Sequence, residues 1–248
     1  MREFIILVGC VGCGKGTLSN LLKMAFPRLI PVSTSEILKG GRSDGQMIKD
    51  NQDVHNKLVD CLIKHGLYDY DKDLHMILDG AGRVPEQMPL LINFFQEEGL
   101  LTEGTRFVKL NVPTPIAKLR MQKRWLENAA AGTLRPDEKG SINEVNARID
   151  GRLIEWLKAR DGVSGKEGVY AIMDRMLRGH KSPIINIDAT QSTAVMALDV
   201  VDKLGWKRSP MIDVLLREGL DMEGVSGHYG DGVSQGHLEF QGTQVAAQ

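Results

Sequence analysis

Five short runs of mostly apolar residues punctuate the chain, at 4–8, 29–32, 75–78, 107–112 and 184–187. Phe4 to Val8 is unbroken by any polar residue, the pattern of a strand covered on both faces, as in a parallel sheet. Between these runs the apolar positions take helical spacing. Leu18, Leu21, Leu22 and Ala25 fall at i, i+3, i+4 and i+7, one stripe on a helix that stops near Pro27. Similar patterns predict helices over about 52–65, 86–98, 114–127, 142–160, 166–178 and 192–204. Strands alternating with helices predict βαβ units, hence an α/β fold with a five-stranded parallel sheet flanked by helices. This domain is expected to occupy residues 1–208. The remainder, 209–248, reads as one short amphipathic helix and then a flexible glycine-rich tail, which from Asp221 onward lacks Lys and Arg.

Composition narrows the function classes. Of 248 residues, 42% are hydrophobic, enough to fill a large core, and 25% are charged. The net charge of −1 supplies no basic field, so nucleic acid is not an expected partner. No run approaches the roughly 20 apolar residues of a membrane span, so no membrane partner is expected. The apolar run after Met1 is too short for a secretion signal. Three cysteines make no disulfide framework, which with the rest points to a cytoplasmic, monomeric protein. His55, His65, His75 and His180 are scattered and read as surface or cap residues.

The chemistry begins where the first run ends. Residues 9–17 read GCVGCGKGT, a phosphate-loop variant in which Thr17 supplies the hydroxyl one position later than usual. Glycines let the backbone wrap a phosphate with its N–H groups inward, and the following helix adds its positive end. Gly12, Cys13, Gly14, Lys15, Gly16 and Thr17 are the candidate ATP contacts. Lys15 sets a full charge on the transferring phosphates, and Thr17 can reach Mg2+. Cys10 and Cys13 form Cys-x-x-Cys within this loop. They read as small residues where bulk would block a phosphate, against the alternative of a thiol switch. No nearby histidine completes a zinc set.

GKGT after a first strand resembles the adenylate kinase group of nucleoside monophosphate kinases, and further motifs follow in that family's order. STSEILK (33–39) is similar to the family's Ser-Thr-Gly-Asp-Met-Leu-Arg, and DGAGRVPEQ (79–87) to its Asp-Gly-Phe-Pro-Arg segment with a downstream glutamine. VPTPIAKLRMQKR (112–124) resembles the entry to the LID, RPDE (135–138) with Arg148 its exit, and INIDATQ (185–191) the last strand and adenine loop. The resemblance spans about residues 3–206. It implies a P-loop fold with an NMP-binding insert at about 34–65 and a short LID, without zinc cysteines, at about 120–137.

The resemblance also implies the site. Thr34 and Gln87 would face the acceptor base, with Gln52, Asp53 and Val54 of the insert and Gly80, Ala81 and Gly82 lining the same subsite. Lys39, where the family has arginine, and Arg83 would meet the acceptor phosphate. Asp79 would join Thr17 at Mg2+. Arg120, Arg124 and Gln191 would hold ATP, and Lys15, Arg83, Arg124, Arg135 and Arg148 would be catalytic. Arg152 is the competing register for Arg148. The implied reaction moves the γ-phosphoryl group of ATP to a nucleoside monophosphate, with AMP ahead of UMP, CMP or another small acceptor. A nucleotide-binding module without turnover is the alternative of another class.

Overall fold

A computed structural model describes residues 2–34, 37, 50–69, 73–134, 138–207, 210 and 214. In chain order its elements are β1 (Glu3–Val8), α1 (Lys15–Ala25), β2 (Leu29–Ser33), α2 (Asn51–Lys64), β3 (His75–Asp79), α3 (Gln87–Glu97) and β4 (Thr105–Asn111). There follow α4 (Thr114–Ala130), α5 (Ile142–Asp161), β5 (Gly162–Val163), β6 (Lys166–Glu167), α6 (Val169–Met176), β7 (Ile184–Asp188) and α7 (Thr193–Leu204). Five of the strands form one parallel sheet in the order β2-β3-β1-β4-β7. The expected α/β architecture is therefore present, with seven helices among the described residues flanking the sheet. None of these helices is long and apolar enough to cross a membrane.

The unbroken apolar run of β1 is explained by two cores, one on each side. Ile5 and Leu7 point to a layer built from Leu18 and Leu22 of α1, Val145 and Ile149 of α5, and Met196 and Val200 of α7. Phe4, Ile6 and Val8 point to the other, where Leu58, Leu62, Phe95 and Met173 of α2, α3 and α6 pack. Phe4 meets Phe95 edge-on, with ring centroids 5.1 Å apart. At the amino ends of the strands Glu3 binds His75 at 2.9 Å and accepts from the Trp206 indole at 3.2 Å.

Two expected elements are corrected. The helix expected over 166–178 begins only at Val169, because 162–167 forms the antiparallel hairpin β5-β6. Ser164–Gly165 supplies its two-residue turn, and a side chain at Gly168 would run into the Arg160 carbonyl. The helix expected to end near 127 continues to Ala130, so residues 120–130 of the expected LID segment belong to α4. Ser141 starts α5 with a capping box shared with Glu144. Of the segment 209–248, only Pro210 and Val214 are described.

Candidate active site

The parallel register brings the chain's charged loops to one edge. Leu7 pairs with Asp79, and Ser33 pairs with Asp79 from the other side. The glycine loop after β1, the Thr34 turn after β2 and the 79–86 loop after β3 therefore lie next to one another. Ligands of open parallel sheets bind at such carboxyl ends.

The glycine loop is shaped by steric demand. Gly12 has φ +79°, and a side chain there would collide with the Ala117 carbonyl of α4. Lys15 opens α1 yet turns back into the loop, with only 7% of its surface exposed. Its ammonium donates to the Gly9 carbonyl at 2.9 Å and the Cys10 carbonyl at 2.8 Å, and lies 3.5 Å from Cys13 Sγ. A hydrogen bond from the Cys10 thiol, reinforced by the Lys15 charge, pulls the Cys13 thiol down to about 6, and the Cys10 thiol is correspondingly driven up. Both sulfurs are buried. They are small residues filling the loop, and they are also one electrostatic unit with its lysine.

Beside the loop stands Asp79. The Thr34 hydroxyl donates to its backbone carbonyl at 2.9 Å. Its carboxylate faces the first turn of α1: a methyl group built on Gly16 would lie 3.5 Å from Asp79 Oδ2. Thr17 is half-buried in that turn. Asp79 Oδ1 is buried and has no hydrogen-bond partner among the described residues. Gly80, at φ +84°, has no side chain because the Arg83 guanidinium lies across it. Arg83 Nε is also buried without a partner among the described residues. Two groups of opposite charge, four residues apart, are thus left unsatisfied, and a buried polar atom left unpaired costs on the order of 1–3 kcal/mol. The pair calls for a cation at Asp79 and an anion at Arg83. That demand fits a phosphate and its Mg2+.

Beside the 79–86 loop a narrow crevice of about 10 Å³ lies between α2 and α3. Thr34, Ala81 and Gly82 line it from the loops, and Val54, His55 and Leu58 from α2, with Gln87 and Leu91 of α3 closing it. Gln87 is drawn into the scaffold: its Oε1 accepts from the Arg83 amide at 3.3 Å and its Nε2 donates to Asn51 Oδ1 at 3.0 Å. Gln52 and Asp53 are exposed on the first turn of α2, where Asp50 caps their backbone amides. The Gln52 side chain is taken by Asn56. Of these three neighbours the structure brings only Val54 into the cleft. His55, given no role from the sequence, is there too. The signal was available: Val54, Leu58 and Leu62 make the buried stripe of α2, and His55 flanks it.

The arginines divide into two sets. Arg120 donates to the carbonyls of Ala189, Thr190 and Gln191 at 2.6, 3.3 and 3.0 Å, fastening the loop after β7, while the Gln191 side chain is exposed. Arg124 pairs at 3.3 Å with the buried carboxylate of Glu138, which also accepts from Asn128 at 3.1 Å. Arg148 is exposed and donates to the Lys139 carbonyl, whereas Arg152 is half-buried. Arg124 and Arg148 are therefore held by the 138–139 segment, while Lys15 belongs to the phosphate loop and Arg83 to the loop after β3. Arg135 and Lys39 lie outside the described residues.

Fold and loop together define an α/β protein with the architecture of a P-loop nucleotide-binding domain. No family model matches the sequence. Among curated proteins, it is similar to the adenylate kinase of Syntrophomonas wolfei, with 30% identity over 129 residues, 48% of this chain. The matched stretch spans 58% of that relative's length.

Proposed function

We propose that the protein transfers the γ-phosphoryl group of ATP to a nucleoside monophosphate, with AMP as the acceptor. The observation that carries this reading is the pair of buried, unsatisfied groups at Asp79 and Arg83 on the loop beside the lysine-bearing phosphate loop, with a narrow, largely apolar crevice lined by their neighbours Ala81 and Gly82. One anion-binding loop alone would serve any nucleotide binder. A two-substrate transfer also needs room for an acceptor, and the crevice beside Ala81 and Gly82 is where that room would open. Similarity to a protein named adenylate kinase supports the same reading.

In this mechanism positioning and electrostatics do most of the work, because an ionised phosphate is already a nucleophile. Lys15 swings from the loop carbonyls to the transferring phosphoryl group, and Arg83 fixes the acceptor phosphate. Thr17 and Asp79 would hold Mg2+, which screens charge between the phosphates. Arg124, Arg135 and Arg148 add positive charge when the LID folds over and excludes water, the competing acceptor. A coupled assay with ATP and each of AMP, UMP, CMP and GMP tests the proposal. AMP should be used best. No transfer to any of the four would overturn it, and a better pyrimidine acceptor would move the assignment.

A further inference from the structure

The phosphate loop holds a charged group that the transfer itself does not use. Cys13 is fully buried two residues before α1, and a side chain at Gly9 would come within 2.8 Å of its sulfur. Three donors converge on that sulfur: the Cys10 thiol, the Lys15 backbone amide and, at 3.5 Å, the Lys15 ammonium. A site furnished with donors suits a sulfur anion better than a thiol, which has a proton of its own to place. The same donors, led by the Cys10 thiol, bring the Cys13 thiol down to about 6 against the opposing cost of burial. Other charges act through space. Asp79 at the end of β3 opposes the ionisation. Tyr170 of α6, held above its ordinary value mainly by burial, stays a neutral phenol, and Arg160 of α5 faces Tyr170 and Cys10. Toward the loop α4 and α7 present Ala117, Met121 and Met196, which carry no charge. Around the Lys15 ammonium, then, the Gly9 and Cys10 carbonyls give direction and the sulfur gives neutrality.

We propose that Cys13 is a positioning residue: its thiolate is the counter-ion that holds the Lys15 ammonium inside the loop, and it takes up a proton when the phosphates of a nucleotide draw that ammonium away. This role rests on the phosphotransfer reading, in which the loop holds the phosphates of ATP. Moving the ammonium removes the nearest positive charge, and the phosphates bring negative charge close to the sulfur. Both changes raise the thiol toward its ordinary value of 9.0, so the sulfur takes a proton from the buffer and S⁻ becomes S–H. The sulfur is ionised before binding and protonated after it. Binding therefore consumes a proton and weakens as pH rises from 6 toward 9. A serine at this position accepts the same hydrogen bonds without the charge, and removes both effects.

Calorimetric titration of the full chain with ATP, without added magnesium, in buffers of different ionisation enthalpy counts the protons exchanged on binding. At about pH 8 wild-type protein should take up about one proton more than Cys13→Ser. The variant cancels whatever proton the ATP phosphates themselves exchange. Across pH 6 to 9 the Kd of wild-type protein should rise relative to that of Cys13→Ser, by about tenfold per pH unit at the steepest. A second measurement needs no variant. The ultraviolet absorbance of the thiolate in wild-type protein should fall on adding inorganic triphosphate, which has no base to mask it. Equal proton exchange in the two proteins, or a thiolate absorbance that triphosphate leaves unchanged, overturns the proposal and leaves Cys13 a packing residue. If Cys13→Ser does not fold, the absorbance alone decides. ATP binding with Cys13-dependent proton uptake but no transfer to any monophosphate supports Cys13 and refutes the phosphotransfer reading. Transfer without that uptake does the reverse. A chain that binds neither ATP nor triphosphate overturns both.

Discussion

Replacing Lys15 with alanine separates two duties that the structure assigns to one side chain. The ammonium is buried and donates to the carbonyls of Gly9 and Cys10 at 2.9 and 2.8 Å. Hydrogen bonds from a charged donor contribute on the order of 1.5–3 kcal/mol each, but burying the ammonium costs a large share of that. The net loss of folding stability in Lys15→Ala should be about 2 kcal/mol, or roughly 4–8 °C in Tm for a domain of this size. Against a typical stability of about 5–15 kcal/mol, such a loss leaves the folded state dominant at 25 °C. Activity should fall much further, by about 100- to 1,000-fold in kcat, since one preorganised charge at a transition state is worth roughly 3–4 kcal/mol. Lys15→Met keeps the alkyl stem, so it should recover part of the Tm and none of the turnover. A thermal melt and a coupled ATP–AMP assay on the same preparations read both quantities. Near wild-type turnover in either variant would refute the phosphate-loop assignment. A fall in activity that tracked the unfolded fraction would refute the division of duties.

With AMP, kcat/KM should exceed that with UMP by about tenfold or more, given the cost of unpaired polar groups in the cleft; equal use of the two acceptors in the coupled assay counts against it. Arg148→Ala should lower kcat about 100-fold with less effect on nucleotide Kd, because its charge acts only once the LID is shut. Arg152→Ala should lower Tm rather than kcat, since its stem is half-buried; if it is the variant that loses turnover, the register through 135–152 is wrong. Because the Cys13 thiol sits near 6 when folded and at 9.0 ordinarily, the folded loop releases a proton that the unfolded chain keeps. The stability advantage over Cys13→Ser should therefore grow between pH 6 and 9 and vanish as pH falls through 6, measured by urea titration. Hydrogen peroxide should inhibit only modestly, because both loop thiols are buried; rapid inhibition abolished in Cys10→Ser would show that access is not limiting.

What could be read from sequence was what neighbouring residues settle among themselves. Phe4 to Val8 had to be buried on both faces because nothing polar interrupts it, and Gly9, Gly12 and Gly14 had to form a loop because β1 and α1 flank them directly. The α/β class and the phosphate loop follow from those local patterns. The inward turn of Lys15 did not, because its partners are backbone carbonyls whose direction only the folded loop sets. The hairpin at 162–167 was hidden for a related reason: Lys166 and Glu167 continue the helical pattern that follows them, and their pairing with Gly162 and Val163 exists only in the folded chain. The crevice is the clearest case. Gln87, expected near a base, lines it with its amide oriented by Asn51, 36 residues away in sequence, and His55 stands where α2 meets α3. Periodicity identifies which face of a helix is buried. Which residue of another helix that face meets is a property of the packed tertiary structure alone, since it depends on contacts between elements distant in the chain.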